Sequence, residues 1–236
     1  MVRITLDKPY IPIPVPVTAI KYGLLYNWYA ATDVRNIAAE GWELPTSAKF
    51  DTLINYAKQG LYFDKGSKAL KESGLTYWNH NEGVNTFGFN GRGSGSRDSI
   101  GTFYVLTIAA YYHSNDNYTG LNSYGLYLNA THAYNLAMKW GNQNNSTVSK
   151  LSGMSIRLVK TTTTLTHGQT GTYTGNDGKV YRTICIGTQE WLADNLCETK
   201  YRNGDTIPEV TDNSAWAALS TGALCAYNND WSNVLI

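Results

Sequence analysis

Charged side chains are scarce in this sequence, and neither sign of charge dominates. Asp, Glu, Lys and Arg make up 16% of the 236 residues, against roughly 25% in an average soluble domain. The formal net charge is +1, so no strong field would draw the chain to nucleic acid or to an anionic membrane. We therefore expect no nucleic-acid partner. We also expect no membrane insertion, because no segment approaches the roughly 20 apolar residues of a span.

Cysteine is almost absent, and the three that occur, Cys185, Cys197 and Cys225, all lie in the last quarter of the chain. An odd number excludes complete internal pairing, and no C-x-x-C spacing suggests zinc. One disulfide among the three stays open as an alternative. Three buried thiols is the interpretation that we favour.

Motifs for catalysis or metal binding are also missing. None of the four histidines stands in a H-E-x-x-H spacing, and the sequence has no G-x-S-x-G. The glycine-rich run 91–95 lacks the Lys-Ser/Thr ending of a phosphate loop. The Asx clusters 115–117 and 228–230 offer oxygen atoms to calcium, but turn formation is the simpler explanation. We expect a non-enzyme that needs no cofactor and no metal.

Prolines are concentrated at one end of the chain. Pro9, Pro12, Pro14 and Pro16 fall within the segment P-Y-I-P-I-P-V-P-V. Because proline fixes φ and removes a backbone donor, this pattern predicts an extended arm over residues 1–20 and interrupts any signal-peptide core. The arm either lies across a neighbouring subunit, giving a homo-oligomer such as a trimer, or packs on its own domain.

Apolar spacing predicts a mixed fold. Phe50, Leu53, Ile54 and Ala57 recur at helical spacing between a capping residue at 46 or 47 and Gly60, so a helix is expected over 47–59. Shorter helices are expected within 22–31 and 214–219. A hairpin turn is expected around 176–178. Short β-like runs cover 102–110, 125–130, 134–140, 154–160, 180–186 and 190–196.

Several strings resemble one family, the Fibrobacter succinogenes major paralogous (FISUMP) domain. They are Y-G-L-L-Y-N-W-Y-A from Tyr22, G-W-E-L-P-T-S-A-K-F from Gly41, S-I-R-L-V-K from Ser155 and D-G-K-V-Y-R-T-I-C-I-G-T-Q-E-W-L-A-D-N-L from Asp177. The resemblance implies an α+β, C-type-lectin-like fold with short mixed or antiparallel sheets, one to two helices and long irregular loops. It also implies kinship with the formylglycine-generating enzymes and with the variable proteins of diversity-generating retroelements. The enzymes depend on an active-site cysteine pair, and residues 1–184 contain no cysteine.

The chain departs from the family pattern in two respects. The family usually has Glu-Trp where this chain has Lys49-Phe50, which keeps an aromatic anchor but loses a carboxylate. The segment that resembles the family's first half comes last here. We therefore expect a core over 21–160, a linker over 161–171, and a segment 172–236 that completes the core, either in the same chain or swapped into a neighbour.

The stretch 111–145 is unusually rich in Asn and Tyr, with eight of the former and six of the latter. Asn offers a donor and an acceptor on a short stem, and Tyr gives rigid contact area with a polar tip, as in antibody paratopes. Alternation predicts that Tyr127 and Asn129 point outward, opposite Leu126 and Leu128. A polar surface without a role is the alternative. The candidate binding residues are Tyr111, Tyr112, His113, Asn115, Asn117, Tyr118, Asn122, Tyr124, Tyr127, Asn129, His132, Tyr134, Asn135, Lys139, Trp140, Asn142, Asn144 and Asn145.

The resemblance implies that this stretch is a variable binding surface, because retroelement-diversified proteins carry their variable residues just before the last core strand. We expect a non-catalytic receptor-binding protein, such as a phage receptor-binding or cell-surface adhesin component, with a host-surface protein or glycan as partner. Its expected location is the virion, the cell surface or the extracellular space. A structural subunit of a virion, pilus or surface layer is the alternative.

Overall fold

A computed structural model of the chain describes residues 18–58, 63–81, 83–119, 122–129 and 148–235. Within these residues, short strands, mostly antiparallel, combine with α-helices, so the predicted α+β class is confirmed. The strands are β1 Leu25–Tyr26, β2 Trp42–Glu43, β3 Ser94–Arg97, β4 Phe103–Leu106, β5 Ala109–Thr119, β6 Asn122–Asn129, β7 Val148–Ser149, β8 Val159–Lys160, β9 Thr170–Thr174, β10 Val180–Ile186, β11 Gln189–Leu192 and β12 Leu224–Cys225.

Four helices occur in the described part of the chain, where one or two were expected: α1 Trp28–Ala31, α2 Ser47–Lys58, α3 Phe63–Leu70 and α4 Asn213–Ala217. The prediction of α2 is confirmed, and its four periodic apolar residues are buried. The two shortest helices depend on their caps, because the side chains of Asn27 and Asp212 each accept a bond from the helix backbone.

The strands form two five-stranded sheets and one two-stranded ribbon. One sheet has the order β2-β8-β11-β10-β9, the other β4-β3-β5-β6-β7, and β1 pairs with β12. In the first sheet β11 lies between β8 and β10, and Trp191 of β11 pairs with Val159 of β8. The strands that follow the linker therefore pair with the earlier part of the sheet within a single chain.

A buried arginine holds the two parts of the chain together. The Arg157 side chain is fully buried and donates to the carbonyl oxygens of Phe89, Leu192 (3.0 Å) and Asn90 (2.7 Å), and to Asn195 Oδ1 at 2.6 Å. Burial lowers the pKa of its guanidinium. Since backbone oxygens are fixed in place, this fork of donors sets the position of residue 157 between the loop at 89–90 and strand β11.

The short helix expected within 22–31 is confirmed as α1, which Asn27 caps directly after β1. The strand prediction over 154–160 was wrong for most of its length. The stretch 154–160 is mostly irregular and joins its neighbours through single bridges, with a true strand only at β8. The three cysteines are free and buried, which confirms three buried thiols. Among the described residues, no helix is long and apolar enough to cross a membrane.

Candidate functional site

The Asn/Tyr-rich stretch forms two neighbouring strands with two different faces. β5 and β6 pair antiparallel, so that Tyr111 faces Tyr127 and Tyr112 faces Leu126. Successive side chains of a strand point to opposite sides of the sheet. Tyr112, Leu126 and Leu128 lie in the core, whereas Tyr127 and Asn129 remain partly exposed, as alternation predicted.

On the outer side, Tyr111 and Tyr127 form a cross-strand aromatic pair with ring centroids 4.9 Å apart. The Asn129 side chain donates from Nδ2 to Tyr127 Oη at 2.6 Å. Partial burial raises the pKa of Tyr111, so its phenol stays protonated and able to donate. We call Tyr111, Tyr127 and Asn129, together with the exposed Asn115 and Asn117 further along β5, the Asn/Tyr face.

Residues 115–117 of strand β5 connect this face to helix α2. The backbone N–H of Asn115 donates to Pro45 O at 2.8 Å, and the Asp116 carboxylate accepts a bond from the backbone N–H of Ser47. A carboxylate at a helix N-terminus satisfies a donor that has no partner in the helix and interacts well with the helix dipole. Asp116 therefore serves as a cap here, while Asn115 and Asn117 are exposed.

Two of the candidate binding residues are buried and do not belong to an exposed face. Tyr112 and His113 are fully covered, and His113 Nε2 lies 2.7 Å from the carbonyl oxygen of Tyr26. Burial lowers the pKa of His113 to about 4. Tyr112 points inward by strand alternation. His113 follows it inward because β5 pairs irregularly from this residue onward.

The remaining candidates have no described side chain. Tyr118, Asn122 and Tyr124 lie within β5 and β6 by their backbone. Those outside the described residues are His132, Tyr134, Asn135, Lys139, Trp140, Asn142, Asn144 and Asn145.

Residues that flank the face were not singled out from the sequence. Trp28 donates from Nε1 to the carbonyl oxygen of Ser114 at 3.0 Å, and Lys150 Nζ lies 4.4 Å from the centre of the Trp28 ring. Val148 and Met154 line a small recess with Tyr111 and Tyr127. These residues either lie far from β5 and β6 in the sequence or belong to a motif whose pattern indicates core packing. No sequence signal marks them as neighbours of the face.

A second cluster of titratable groups lies inside the protein. Glu198 is fully buried, and burial raises the pKa of its carboxyl group to about 7. It accepts bonds from Tyr181 Oη (2.6 Å) and from the backbone N–H of Asp177 (2.8 Å). The carboxyl group fills the space beside Gly175, where a Cβ atom would lie 2.0 Å from Glu198 Oε1. These contacts hold the turn between β9 and β10 against the buried carboxyl group.

The described residues contain no group of three or more His, Cys, Asp or Glu side chains that could hold a metal ion. A family model described as the Fibrobacter succinogenes major domain matches residues 6–160, which is 155 of the 236 residues. No curated protein and no solved structure matches the chain.

Proposed function

The chain belongs to the Fibrobacter succinogenes major domain family, and we propose that it is a non-catalytic binding protein that contacts its ligand through the Asn/Tyr face. The observation that carries the proposal is the ring contact between Tyr111 and Tyr127 on strands β5 and β6. The side chains on the other side of these strands are buried in the core. Strand pairing and burial of the inner side chains restrict the positions of Tyr111 and Tyr127 before a ligand arrives. Less conformational entropy is then lost on binding.

The chemistry of the face suits an uncharged polar ligand. Tyrosine rings stack on apolar patches, while phenol and amide groups donate and accept hydrogen bonds. The structure describes no charged residue among the five that form the face, so binding there would depend only weakly on salt. A host-surface glycan or a polar protein surface fits this description.

We further propose that the fold is C-type-lectin-like and that the stretch 111–145 is diversified by a retroelement. A phage receptor-binding component or a cell-surface adhesin, on the virion or outside the cell, would use such a surface. The position of the stretch before β8 and its Asn and Tyr content support this. A near-identical template repeat, with adenines at the Asn and Tyr codons and beside a reverse-transcriptase gene, is the expected genomic finding. An ordinary gene neighbourhood would refute diversification.

A glycan and protein array tests the binding proposal. Wild type is compared with Tyr111→Ala/Tyr127→Ala and with the control Tyr104→Ala, which removes an exposed tyrosine of strand β4. We expect the double variant to lose at least tenfold in affinity for any captured ligand, and the control to retain it. Equal binding by all three proteins would show that the Asn/Tyr face is not the contact surface.

A structural subunit of a virion, pilus or surface layer remains the second candidate. It is favoured by the edge of β9, which pairs with no other strand in the described part of the chain. Absence of any ligand on the array, together with stable self-association, would support this role over ligand binding.

A further inference from the structure

Among the described residues, β9 is the outermost strand of its sheet, and one of its backbone edges has no partner strand. It pairs with β10 over Thr170–Thr174. Cys185 N donates to Gln169 O at 2.9 Å, and Gly175 N donates to Lys179 O at 2.8 Å, so the odd-numbered residues of this segment bond to β10. In an antiparallel ladder alternate residues turn away from the partner. The N–H and C=O groups of Thr170, Thr172 and Thr174 therefore point outward, and no described residue bonds to them.

This edge lacks the usual protection against strand addition. Natural edges are commonly blocked by lysine, proline, a bulge or a twist. β9 reads T-G-T-Y-T, and its pairing with β10 is regular over five residues. By contrast, the edge strand β4 of the other sheet contains Val105 with φ of 55°, followed by Thr107 at 62°. This left-handed backbone bends β4 away from strand geometry. β9 is thus the edge that is suited to accept another strand.

The N-terminal segment has the pattern of a strand that can pair on one side only. In the segment 9–17, Ile11, Ile13, Val15 and Val17 alternate with prolines at 12, 14 and 16. In an extended chain the backbone groups of alternate residues point to the same edge. The four β-branched residues would direct their N–H groups to one edge, and the three prolines would leave the opposite edge without donors. Proline in sheets is found on such outer strands, with its nitrogen facing solvent.

We propose that residues 9–17 of one copy of this chain add to the free edge of β9 in a second copy as its outermost strand. Three of the four donors, those of Ile11, Ile13 and Val15, recur at the same two-residue spacing as the outward threonines of β9. The prolines then end the sheet, because the new outer edge has no backbone N–H groups to donate to a further strand. Each chain supplies one arm and one β9 edge, so the contact is head-to-tail, and every arm is used when the assembly closes into a ring such as the trimer expected from the arm.

The start of the described chain favours a second copy over the same copy. Thr18 N donates to Val180 O at 2.8 Å. Val180 faces Thr174 across the ladder as an even-numbered pair, so its backbone groups point away from β9. Thr18 therefore lies on the far side of β10, three strand spacings or about 14 Å from the position of the added strand. To reach its own β9 edge, the arm would have to cross the face of its own sheet.

Analytical ultracentrifugation of the full chain over a concentration series tests this. Ile13→Pro/Val15→Pro removes donors from the arm, and Thr172→Pro removes one from the edge without breaking a bond to β10. Ile13→Val/Val15→Ile and Thr172→Val are the matched controls that keep every donor. We expect wild type and both controls to form the oligomer, and both proline variants to sediment as monomers with the circular dichroism of wild type.

Mixing the two proline variants decides whether the arm acts between chains. The Thr172→Pro chain has an intact arm, and the Ile13→Pro/Val15→Pro chain has an intact edge, so an equimolar mixture should give a heterodimer. If the mixture stays monomeric, if wild type is monomeric, or if either proline variant still forms the wild-type oligomer, the proposal is wrong. If Thr172→Pro alone misfolds, the arm variant still tests the arm, and Thr172→Lys replaces Thr172→Pro at the edge.

Discussion

The ring of Phe50 in helix α2 stacks on Trp191 in strand β11, with centroids 5.4 Å apart and planes inclined by 19°. Both side chains are buried in the same core cluster. One residue comes from the segment before the linker and the other from the segment after it. The two segments therefore share a core, and we expect them to unfold together.

Phe50→Ala tests that shared core. Replacing a buried phenylalanine by alanine costs about 3–5 kcal/mol through lost burial and the cavity left behind. We expect this loss in urea unfolding, with tryptophan fluorescence and circular dichroism giving the same midpoint. Leu75→Ala, at a side chain that is 65% exposed, is the control and should change stability by less than about 0.5 kcal/mol. Two separate transitions in wild type would contradict a single core.

Glu198 should make stability depend on pH. Its pKa is raised by burial from 4.5 to about 7, so its contribution is complete below pH 4.5 and is lost as the pH rises through about 7. At 1.36 kcal/mol per pKa unit the difference amounts to about 3 kcal/mol. Glu198→Gln stays neutral, and we expect a flatter profile than wild type between pH 4.5 and 8, measured by urea unfolding. Glu40→Gln, at an exposed position, should follow the wild-type curve.

Asp116 should stabilise helix α2 although it lies in strand β5. Because its carboxylate caps the backbone N–H of Ser47, Asp116→Ala should cost about 1 kcal/mol, as for other helix caps. Asp116→Asn keeps an acceptor and should cost less. Asn117→Ala, one residue further on and exposed, is the matched control. Thermal unfolding of the four proteins checks the order, and equal midpoints would show that the cap contributes nothing.

Arg157 should not be replaceable by lysine. Its guanidinium serves three carbonyl oxygens and one amide oxygen at once, whereas an ammonium group cannot reproduce the planar fork. Each buried oxygen left without a donor costs about 1–3 kcal/mol. We expect Arg157→Lys to destabilise by at least about 3 kcal/mol in chemical unfolding. Arg35→Lys, at an exposed ion pair, should have little effect.

The cysteines should be unreactive until the protein unfolds. Burial raises the pKa of Cys197 and of Cys225 to about 12 and also raises the pKa of Cys185. Since the thiolate is the reactive form, Ellman's reagent at pH 8 should label none of the three in native protein and all three in guanidinium. Rapid labelling of the native protein would contradict the burial of these side chains.

The sequence predicted those elements whose own pattern determines them. Helix α2 follows from four apolar residues at helical spacing, and β10 occupies the predicted 180–186 because its run is apolar and bounded by turns. The outward direction of Tyr127 and Asn129 followed from alternation with Leu126 and Leu128. The family resemblance was confirmed by the model match over 6–160.

What the sequence could not predict depends on contacts between distant residues. The Asn-rich run 115–117 resembles a turn, yet it continues β5, because Pro45 and Ser47 accept and donate bonds to it. Tyr112 and His113 share the composition of the face, but their burial depends on Tyr26 and on the irregular pairing of β5. Composition alone therefore placed Tyr112 and His113 on the binding surface, although both side chains are buried.

The division of β5 and β6 into a buried side and a partly exposed side affects how the surface can change over generations. Tyr112 and Leu126 are buried on the opposite side from Tyr111, Tyr127 and Asn129, so we expect substitutions at the outer three positions to leave their packing intact. Chains that differ only at the outer positions should then share one melting temperature while they differ in specificity. Selection could act on recognition directly, without compensating mutations elsewhere in the fold.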